Sequence, residues 1–245
     1  MLLDHGGKDQ RKNEMRWRQR YEDELLRFES LGGRVTHRFP ILTDYEDQAG
    51  TASGHYFHQD LLVARFIHQA NPMRHIDIGS RIDGFVAHVA AFRRIEVLDV
   101  RDLKNTEHEN IQFIKANLMD ARSATECSTD SISCLHALEH FGLGRYGDPI
   151  DPTGHLKGFR NIVRMLKPGG MLYLSFPIGE SNEVHFNAHR VFHPMEVLSW
   201  IEPEGLLNLV RFDYVDDVGA LQKNANVKEV PALKYGCGIY SFRKV

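Results

Sequence analysis

One segment of this 245-residue chain constrains its fold more than any other, a short apolar strand that runs directly into a glycine-containing turn and then a helix. The strand covers residues 74–78, and Gly79 and Gly84 bracket the turn. A residue without Cβ can adopt a positive φ and lets a ligand approach the backbone. The helix that follows has apolar residues at the spacing of one face, namely Phe85, Val89 and Phe92. The segment therefore predicts the start of a parallel βαβ unit.

A second apolar strand follows at residues 95–100 and carries a carboxylate, Asp99, near its end. Asp99 lies 20 positions after Gly79, and a carboxylate at that strand end can accept hydrogen bonds from both hydroxyls of a ribose. The N–H groups at the start of the intervening helix point toward the same ligand. The pattern predicts a site for a nucleoside cofactor, although it has two glycines where the dinucleotide fingerprint has three. An ordinary βαβ turn with a surface-exposed Asp99 is the alternative that this pattern leaves open.

The composition of the chain excludes several classes of partner. Its 30 Lys and Arg against 33 Asp and Glu give a formal net charge of −3, so we expect a small-molecule substrate and no nucleic acid. The sequence has no apolar leader and no uninterrupted apolar run of about 18 residues, which predicts a cytoplasmic protein without a membrane span. The three cysteines are odd in number and lack paired metal spacing, so they indicate a reducing compartment and no metal site.

A helical and loop-rich extension over residues 1–54 precedes the βαβ region. The segment from Lys8 to Glu29 mixes charges of both signs and predicts an amphipathic helix, which Gly32 and Gly33 end. A loop-rich connection follows as far as Gly54. Aromatic residues of the helix are candidates for packing on the body of the protein or for a homodimer contact, namely Trp17, Tyr21 and Phe28.

Residues 55–245 predict one α/β domain. A helix from His55 to Gln69 is expected to bury an apolar face made of Phe57, Leu61, Ala64, Phe66 and Ile67. Strands that alternate with helices are placed at residues 74–78, 95–100, 111–115, 131–135 and 170–176. Two further strands, 209–215 and 238–244, are expected to pair antiparallel. The fold class is therefore α/β, a Rossmann-like, doubly wound and mostly parallel sheet with a C-terminal antiparallel hairpin.

Short motifs distributed over residues 55–245 carry a resemblance to a known family. In chain order they are Asp77-Ile78-Gly79-Ser80, Asp99, Asn117-Leu118, residues 131–140 and Leu166-Lys167-Pro168-Gly169-Gly170. The chain resembles the class I S-adenosylmethionine-dependent methyltransferases, which implies S-adenosylmethionine as the cofactor. Residues 136–154 and 186–192 look more closely like an uncharacterised bacterial branch whose members are encoded with enzymes of surface-polysaccharide biosynthesis. That likeness implies O-methylation of a saccharide or sugar nucleotide.

The resemblance assigns cofactor binding to eight residues. They are Asp77, Gly79, Ser80, Arg81, Gly84, Asp99, Asn117 and Leu118. It implies Asp77 beneath the methionine amino group, Gly79 against the ligand and Asp99 on the ribose. Asn117 stands where the family usually has Asp, and its amide oxygen can still accept from the adenine amino group. Arg81 also departs from the family pattern, and it either pairs with the methionine carboxylate or points outward.

Transfer of a methyl group to a hydroxyl needs a base that removes the hydroxyl proton. The candidates follow the fourth strand, at the sheet end where open α/β folds place their ligands, and they are His136, Glu139 and His140. His140 is our first choice, and a capping or packing role is the alternative. His136 and His140 could also form an i, i+4 metal-binding pair, but further ligands cannot be placed, so no metal is predicted.

Two polar clusters are candidates for binding the acceptor. The first lies on a glycine-rich loop and consists of Arg145, Tyr146 and Asp148. Its arginine can bind the phosphate of a sugar nucleotide through the planar donor fork. The second follows the fifth strand, as a lid over the acceptor or a plain surface loop, and consists of His185, Asn187, His189 and Arg190.

Two other functions are compatible with the same motifs. A nicotinamide-dependent oxidoreductase shares the first strand, the turn and Asp99, but the missing third glycine and the turn at residues 167–170 disfavour it. A noncatalytic cofactor-binding subunit of a biosynthetic complex would bind the nucleoside and transfer no methyl group. Binding of S-adenosylhomocysteine or NAD tests the first alternative, and a His140→Ala variant tests the second.

Overall fold

The computed structural model describes residues 6–104, 106–201 and 205–245. The chain divides into two compact units, Met1–Thr51 and Ala52–Val245. Residues 1–5 of the predicted extension lie outside the described residues. All of the candidate site residues named above belong to the second unit.

The first unit contains helix α1 (Gly6–Ser30), which covers the predicted N-terminal helix. The N–H groups of Leu31, Gly32 and Gly33 donate to carbonyls of its last turn and end it, as expected. Tyr45 in the following loop returns to the helix, where its hydroxyl donates to the Glu24 carboxylate at 2.9 Å. Phe28 is 54% exposed, and the homodimer contact stays a prediction.

Within the described residues, the second unit is built around one eight-stranded sheet. Ten strands in chain order form this sheet and a separate hairpin: β1 (His75–Ile78), β2 (Ile95–Asp99), β3 (Ile111–Lys115), β4 (Thr129–Leu135), β5 (Leu166–Ile178), β6 (Glu183–His185), β7 (His189–Val191), β8 (Leu207–Val215), β9 (Leu221–Gln222) and β10 (Gly236–Lys244). The large sheet has the order β3-β2-β1-β4-β5-β10-β8-β9. Strands β1 to β5 are parallel, and β10 runs antiparallel to both β5 and β8. The predicted fold class is confirmed.

Helices cover both faces of this sheet. They are α2 (His55–Ala70), α3 (Ala87–Ala90), α4 (Gly154–Met165) and α5 (Glu196–Ile201). Helix α2 packs in one buried apolar cluster with Val97, and α4 packs in another with Leu98. Because successive residues of β2 enter different clusters, the sheet is buried on both sides, as a parallel sheet requires. None of the described helices is long and apolar enough to cross a membrane.

Helix α2 buries Ala64 and Ile67 as predicted, but the rest of its buried face differs from the one predicted. Phe57 and Leu61 are 40% and 45% exposed, so their predicted inward positions are wrong. The buried face starts instead at Gln59 and Asp60. The Gln59 amide oxygen accepts a hydrogen bond from Ser175 Oγ on β5 at 2.5 Å, which satisfies a polar group inside the core. Apolar spacing alone does not reveal a polar residue that has a buried partner.

The helix after the glycine turn is shorter than predicted. A π-helical turn over Ile82–Val86 precedes the four-residue α3. Phe85 and Val89 are fully buried, as predicted. Phe92 lies beyond the end of α3 and is 40% exposed, so its predicted place on the buried face is wrong. The wider π turn displaces the following residues from α-helical spacing, which the sequence pattern did not anticipate.

The segment after β5 forms a short antiparallel hairpin of β6 and β7, where the sequence predicted only a lid or a surface loop. The hairpin joins the sheet through a bridge between Ile178 and Phe192. The N–H of Phe192 donates to the carbonyl of Pro177 at 3.0 Å, and the N–H of Gly179 donates to the carbonyl of Phe192 at 3.0 Å. These bonds fix the base of the hairpin beside the carboxyl ends of β4 and β5.

A buried histidine in β1 predicts a loss of stability in mild acid. His75 is 1% exposed, and its ring nitrogens bond to the hydroxyls of Ser131 at 2.8 Å and Ser133 at 3.1 Å. Burial lowers the pKa of His75 to about 3. In the unfolded chain that pKa is about 6.5, so below pH 6.5 the unfolded state binds a proton that the folded state excludes. We expect this residue to remove about 2–3 kcal/mol of unfolding free energy between pH 7 and pH 4.5.

Urea titrations of the parent and of His75→Asn at both pH values check this expectation. The comparison uses the change in unfolding free energy between the two pH values, so a constant packing cost in the variant cancels. Between pH 7 and pH 4.5, the unfolding free energy of the variant should fall by about 2–3 kcal/mol less than that of the parent. If the unfolding free energy of both proteins fell equally between pH 7 and pH 4.5, the assignment of the effect to His75 would be contradicted.

Candidate functional site

A cleft opens at the carboxyl ends of β1, β2 and β4, where parallel sheets bind their ligands. Gly79 follows β1 with a φ of +69°, and a Cβ added there would come within 2.9 Å of the Ala137 Cβ. The N–H of Gly79 donates to the carbonyl of Leu98 at 2.9 Å and ties the turn to β2. The cleft is lined by residues that include Gly79, Asp99, Arg101, Asn117, Leu118 and His140.

Asp77 and Ser80 shape the turn from beneath. The Asp77 carboxylate is completely buried and accepts from the hydroxyls of Ser80 and Ser133, both at 2.6 Å, and from the N–H of Ser80 at 3.0 Å. The Ser80 hydroxyl in turn accepts from the N–H of Leu135 at 3.1 Å, which links β1 to β4. Burial raises the pKa of Asp77 to about 6. The structure places Asp77 behind the cleft wall, where it orders the turn.

Asp99 lines the cleft together with Asn117 and Leu118. Its carboxylate accepts from the N–H of Arg101 at 2.8 Å and from the Arg101 guanidinium at 2.5 and 3.0 Å. The same guanidinium lies 4.5 Å from the centre of the Tyr146 ring. Arg101 is therefore a site residue that sequence reasoning missed, although its position two residues after Asp99 is a local signal.

Arg81 and Gly84 occupy different surroundings from those of the other predicted cofactor residues. The Arg81 guanidinium pairs with Asp83 at 2.9 Å and lies 5.0 Å from the centre of the Tyr56 ring. Gly84 lies against α2, where an added Cβ would come within 2.6 Å of Asp60 Oδ2. The glycine thus permits close packing of the turn on α2, and it does not line the cleft.

A second, open cavity adjoins the cleft, and the two share Gly79, Arg101, His140 and Tyr146 in their walls. Its remaining wall is rich in aromatic and basic side chains, among them Tyr56, Arg81, Arg145, His189 and Tyr235. Tyr56 and Tyr235 were not predicted, because they lie far from the recognised motifs in sequence and only the fold brings them here. The arrangement provides two adjoining compartments that share part of their walls.

His140 stands where the two compartments meet. Its Nδ1 lies 2.7 Å from the carbonyl of Ala188, and because a carbonyl can only accept, Nδ1 carries the proton. The other ring nitrogen, Nε2, then has a free lone pair and faces Glu139 Oε1 at 3.6 Å. Burial lowers the pKa of His140, which keeps the ring neutral near pH 7. These features are those of a general base with a carboxylate placed to stabilise its protonated form.

Glu139 also binds His136, so the three predicted catalytic residues do come together. Its Oε1 accepts from His136 Nδ1 at 3.0 Å, and the side chain is 1% exposed. His136 has a left-handed backbone with a φ of +48° directly after β4. Its ring stacks on His55 with the ring centres 5.4 Å apart. His55 is a further site residue that the sequence did not indicate.

The glycine-rich loop after His140 is organised by Asp148. Its carboxylate accepts from the N–H groups of Gly142 at 2.8 Å and Tyr146 at 3.3 Å, so this predicted substrate residue fixes the loop. Arg145 donates to the carbonyl of Ala188 at 3.0 Å and forms no ion pair within the described residues. Its guanidinium is thus available to an anionic ligand of the second cavity.

The polar cluster of the β6–β7 hairpin separates into different environments. His189 reaches the second cavity. Arg190 is 3% exposed and donates to the carbonyls of Glu139 at 3.1 Å and Phe141 at 2.8 Å, so it fixes the backbone on either side of His140. His185 pairs with Glu183 at 2.6 Å, and neither it nor Asn187 lines either compartment.

Comparison with known proteins places these residues in a family. The sequence model described as "Caenorhabditis protein of unknown function, DUF268" matches residues 90–228, more than half of the chain. The chain belongs to the DUF268 family. The DUF268 match contains Asp99, Asn117, the segment from His136 to His140 and the β6–β7 hairpin. No curated protein matches the chain.

Solved structures resemble the DUF268 chain in fold. The N-methyltransferase NodS from Bradyrhizobium japonicum WM9, solved with S-adenosylhomocysteine, is 16% identical with a TM-score of 0.50, over 78% of this chain and 88% of that one. The 1,6-didemethyltoxoflavin-N1-methyltransferase of Burkholderia thailandensis, solved with its substrate and S-adenosylhomocysteine, is 15% identical with a TM-score of 0.51, over 85% and 100%. The [4+2]-cyclase SpnF is 12% identical with a TM-score of 0.54, over 87% and 90%.

These neighbours identify the fold as that of class I methyltransferases. One of them, SpnF, is named for a cyclisation. The fold therefore does not determine the reaction, and the chemistry has to be argued from the site residues.

Proposed function

We propose that this protein is an S-adenosylmethionine-dependent methyltransferase that methylates a hydroxyl of a saccharide, carried as a sugar nucleotide. The observation that carries the proposal is the position of His140 in the shared wall of the nucleoside cleft and the polar cavity. A base at that junction can reach an acceptor held beside the methyl donor. Two solved neighbours of the same fold contain S-adenosylhomocysteine, the product of such a transfer.

The residues present in the cleft fit this cofactor. Because Gly79 has no Cβ, the space beside Ala137 and Asp99 stays open. A ligand can therefore contact the Gly79 backbone there. Asp99 would accept from the ribose hydroxyls, and Asn117 and Leu118 would contact the adenine. When bound, the cofactor supplies a methyl group already activated on a sulfonium.

The remaining chemistry is alignment and proton removal. The Nε2 lone pair of His140 would accept the proton of the acceptor hydroxyl during methyl transfer. The carbonyl of Ala188 fixes the ring through Nδ1, and the Glu139 carboxylate stabilises the imidazolium that results.

A sugar nucleotide suits the second cavity for two reasons. Its phosphates match the Arg145 guanidinium, which no carboxylate neutralises within the described part of the chain. Its sugar ring can pack on the aromatic rings of Tyr56, Tyr146 and Tyr235 in the wall. The link to surface-polysaccharide biosynthesis comes from the sequence resemblance of residues 136–154 and 186–192.

The proposed function is tested in two steps on the purified full-length protein. Thermal unfolding with saturating S-adenosylhomocysteine should show stabilisation of about 2.7 kcal/mol at a ligand concentration of 100 Kd, with none from NAD. Incubation with methyl-labelled donor and a panel of sugar nucleotides should then transfer label to at least one of them. Stabilisation by NAD alone would favour an oxidoreductase. Tight product binding without transfer to any panel member would favour a noncatalytic subunit.

Arg145 provides a prediction for acceptor binding. Replacing it with alanine removes a charge-assisted contact to phosphate, and we expect the KM for the sugar nucleotide to rise about 10- to 100-fold. The kcat should change by less than about threefold, because Arg145 does not move the proton. Steady-state kinetics with the acceptor found in the panel measure both constants.

Arg122→Ala is the matched control for that substitution, since its side chain is 91% exposed and pairs only with Asp120 within the described residues. The control should leave both constants unchanged. An unchanged KM in Arg145→Ala would show that Arg145 does not bind the phosphate of the acceptor.

A further inference from the structure

We propose that His55, His136 and Cys237 bind one zinc ion in the wall of the second cavity. One potential ligand atom from each of the three side chains lies within 4.8 Å of the other two. Zinc is held by histidine nitrogen and cysteine sulfur, at about 2.0–2.1 Å and 2.3 Å respectively. Rotation of the side chains, including the two stacked imidazole rings, would bring all three atoms onto a single ion.

The fold supplies these ligands from three separate elements. His55 is the first residue of α2, His136 follows β4, and Cys237 is the second residue of β10. Cys237 is completely buried and lies in register between Pro177 of β5 and Val215 of β8. Because two of the ligands are anchored at strand ends of one sheet, the site is built into the rigid part of the unit.

The best evidence for a missing ligand is the Nε2 atom of His136. Its Nδ1 donates to Glu139, so Nε2 offers a lone pair to a metal ion once the ring is neutral. The side chain is 6% exposed, and Nε2 is buried with no hydrogen-bond partner among the described residues. A buried polar atom of this kind is costly unless it is satisfied. A metal ion on Nε2 satisfies it.

Glu139 completes an arrangement that is common around protein-bound metals. A histidine that ligates a metal through one nitrogen usually donates its other N–H to a carboxylate, which fixes the ring and raises its basicity. The His136 to Glu139 hydrogen bond at 3.0 Å has this geometry. The buried carboxylate therefore serves His136 on one side and faces His140 on the other.

The donor set selects the type of metal. Two imidazole nitrogens and one thiolate suit zinc, whereas magnesium and calcium prefer oxygen ligands. Binding requires the thiolate, so the Cys237 thiol releases its proton to solvent when the ion enters. Three protein ligands leave a fourth position, which opens toward the cavity that His55 and His136 line. A water or an oxygen of the acceptor can occupy that position.

Metal binding is measured on the full-length protein without any methyl acceptor, so its result is independent of the proposed methyl transfer. The protein is stripped with a chelator and titrated with Zn²⁺ in competition with a chromophoric chelator. We expect one ion per chain and at least a 100-fold weaker affinity in His55→Ala and in Cys237→Ser. Co²⁺ in place of Zn²⁺ should give a near-ultraviolet thiolate charge-transfer band that Cys237→Ser abolishes.

Two matched controls keep the test specific. His68→Ala removes an exposed histidine from the same helix, and Cys127→Ser removes the exposed cysteine, so both should bind Zn²⁺ like the parent. Urea titrations confirm that each variant is folded, and His55→Ala decides the matter if Cys237→Ser is not. Absence of Zn²⁺ binding by the parent, or unchanged binding in His55→Ala, would overturn the proposal and leave a metal-free cysteine–histidine cluster.

Discussion

Replacing His140 with alanine lowers the rate of methyl transfer about 10²- to 10⁴-fold, the usual contribution of a positioned general base. The affinity for S-adenosylhomocysteine should stay within about threefold of the parent value, because the base acts on the acceptor. The loss follows from the geometry of Nε2, the ring atom without a proton. No other described residue pairs a free imidazole lone pair with a carboxylate in the wall shared by both compartments.

Single-turnover assays with labelled donor measure that loss at saturating acceptor. His185→Ala is the control, since that histidine is exposed on the hairpin and lines neither compartment. The control should transfer label at the parent rate. A His140→Ala protein that transfers label at the parent rate would contradict the general-base role and indicate that His140 only packs. The acceptor hydroxyl would then lose its proton to water or without a base.

Replacing Gly79 with valine should lower the affinity for S-adenosylhomocysteine at least about 100-fold, a loss of about 2.7 kcal/mol in binding free energy. The backbone φ of +69° disfavours a β-branched residue, and a Cβ at this position lies 2.9 Å from the Ala137 Cβ. The added methyl groups would fill the space where a ligand meets the backbone. We also expect a stability loss of about 1–3 kcal/mol from the strained backbone.

Gly169→Val separates the two effects. Gly169 has a φ of +76°, and nothing lies within 4 Å of a Cβ added there, so this variant bears the backbone strain without a steric conflict. Both variants should lose stability in urea titrations, whereas calorimetry with S-adenosylhomocysteine should show weakened binding only for Gly79→Val. Normal affinity in Gly79→Val would place the ligand elsewhere.

The parts of the site that could be predicted from the sequence are those encoded within a single segment. Gly79 follows β1 and Asp99 ends β2, so strand periodicity and spacing were enough to place them at one edge of the sheet. His136 and His140 were predicted for the same reason, since both lie within five residues of the end of β4. Residues that directly follow neighbouring parallel strands lie close together at the carboxyl edge of the sheet.

The residues that were missed come together only through the sheet order. His55 is separated from Tyr235 and Cys237 by more than half of the chain, and β10 reaches the site because it inserts between β5 and β8. For this reason the sequence pattern did not bring His55 and Cys237 together with His136 as candidate metal ligands. No single-segment pattern contains that information.

Some side chains that were predicted to bind the acceptor form hydrogen bonds with the backbone instead. Arg190 and Asp148 were expected to contact the acceptor, but the first donates to two carbonyls and the second accepts from loop N–H groups. A sequence shows that a side chain is polar, and it does not show whether the chain itself satisfies that side chain. The same reason explains why the face of α2 that carries Gln59 is buried.

A crystal structure of the protein grown with S-adenosylhomocysteine tests the central claim most directly. The account predicts the nucleoside in the cleft of β1 and β2, with the ribose hydroxyls on Asp99, the backbone of Gly79 against the ligand and the sulfur facing the His140 side of the cavity. A cleft without ligand at saturating concentration, or a nucleoside bound at another part of the molecule, would contradict it.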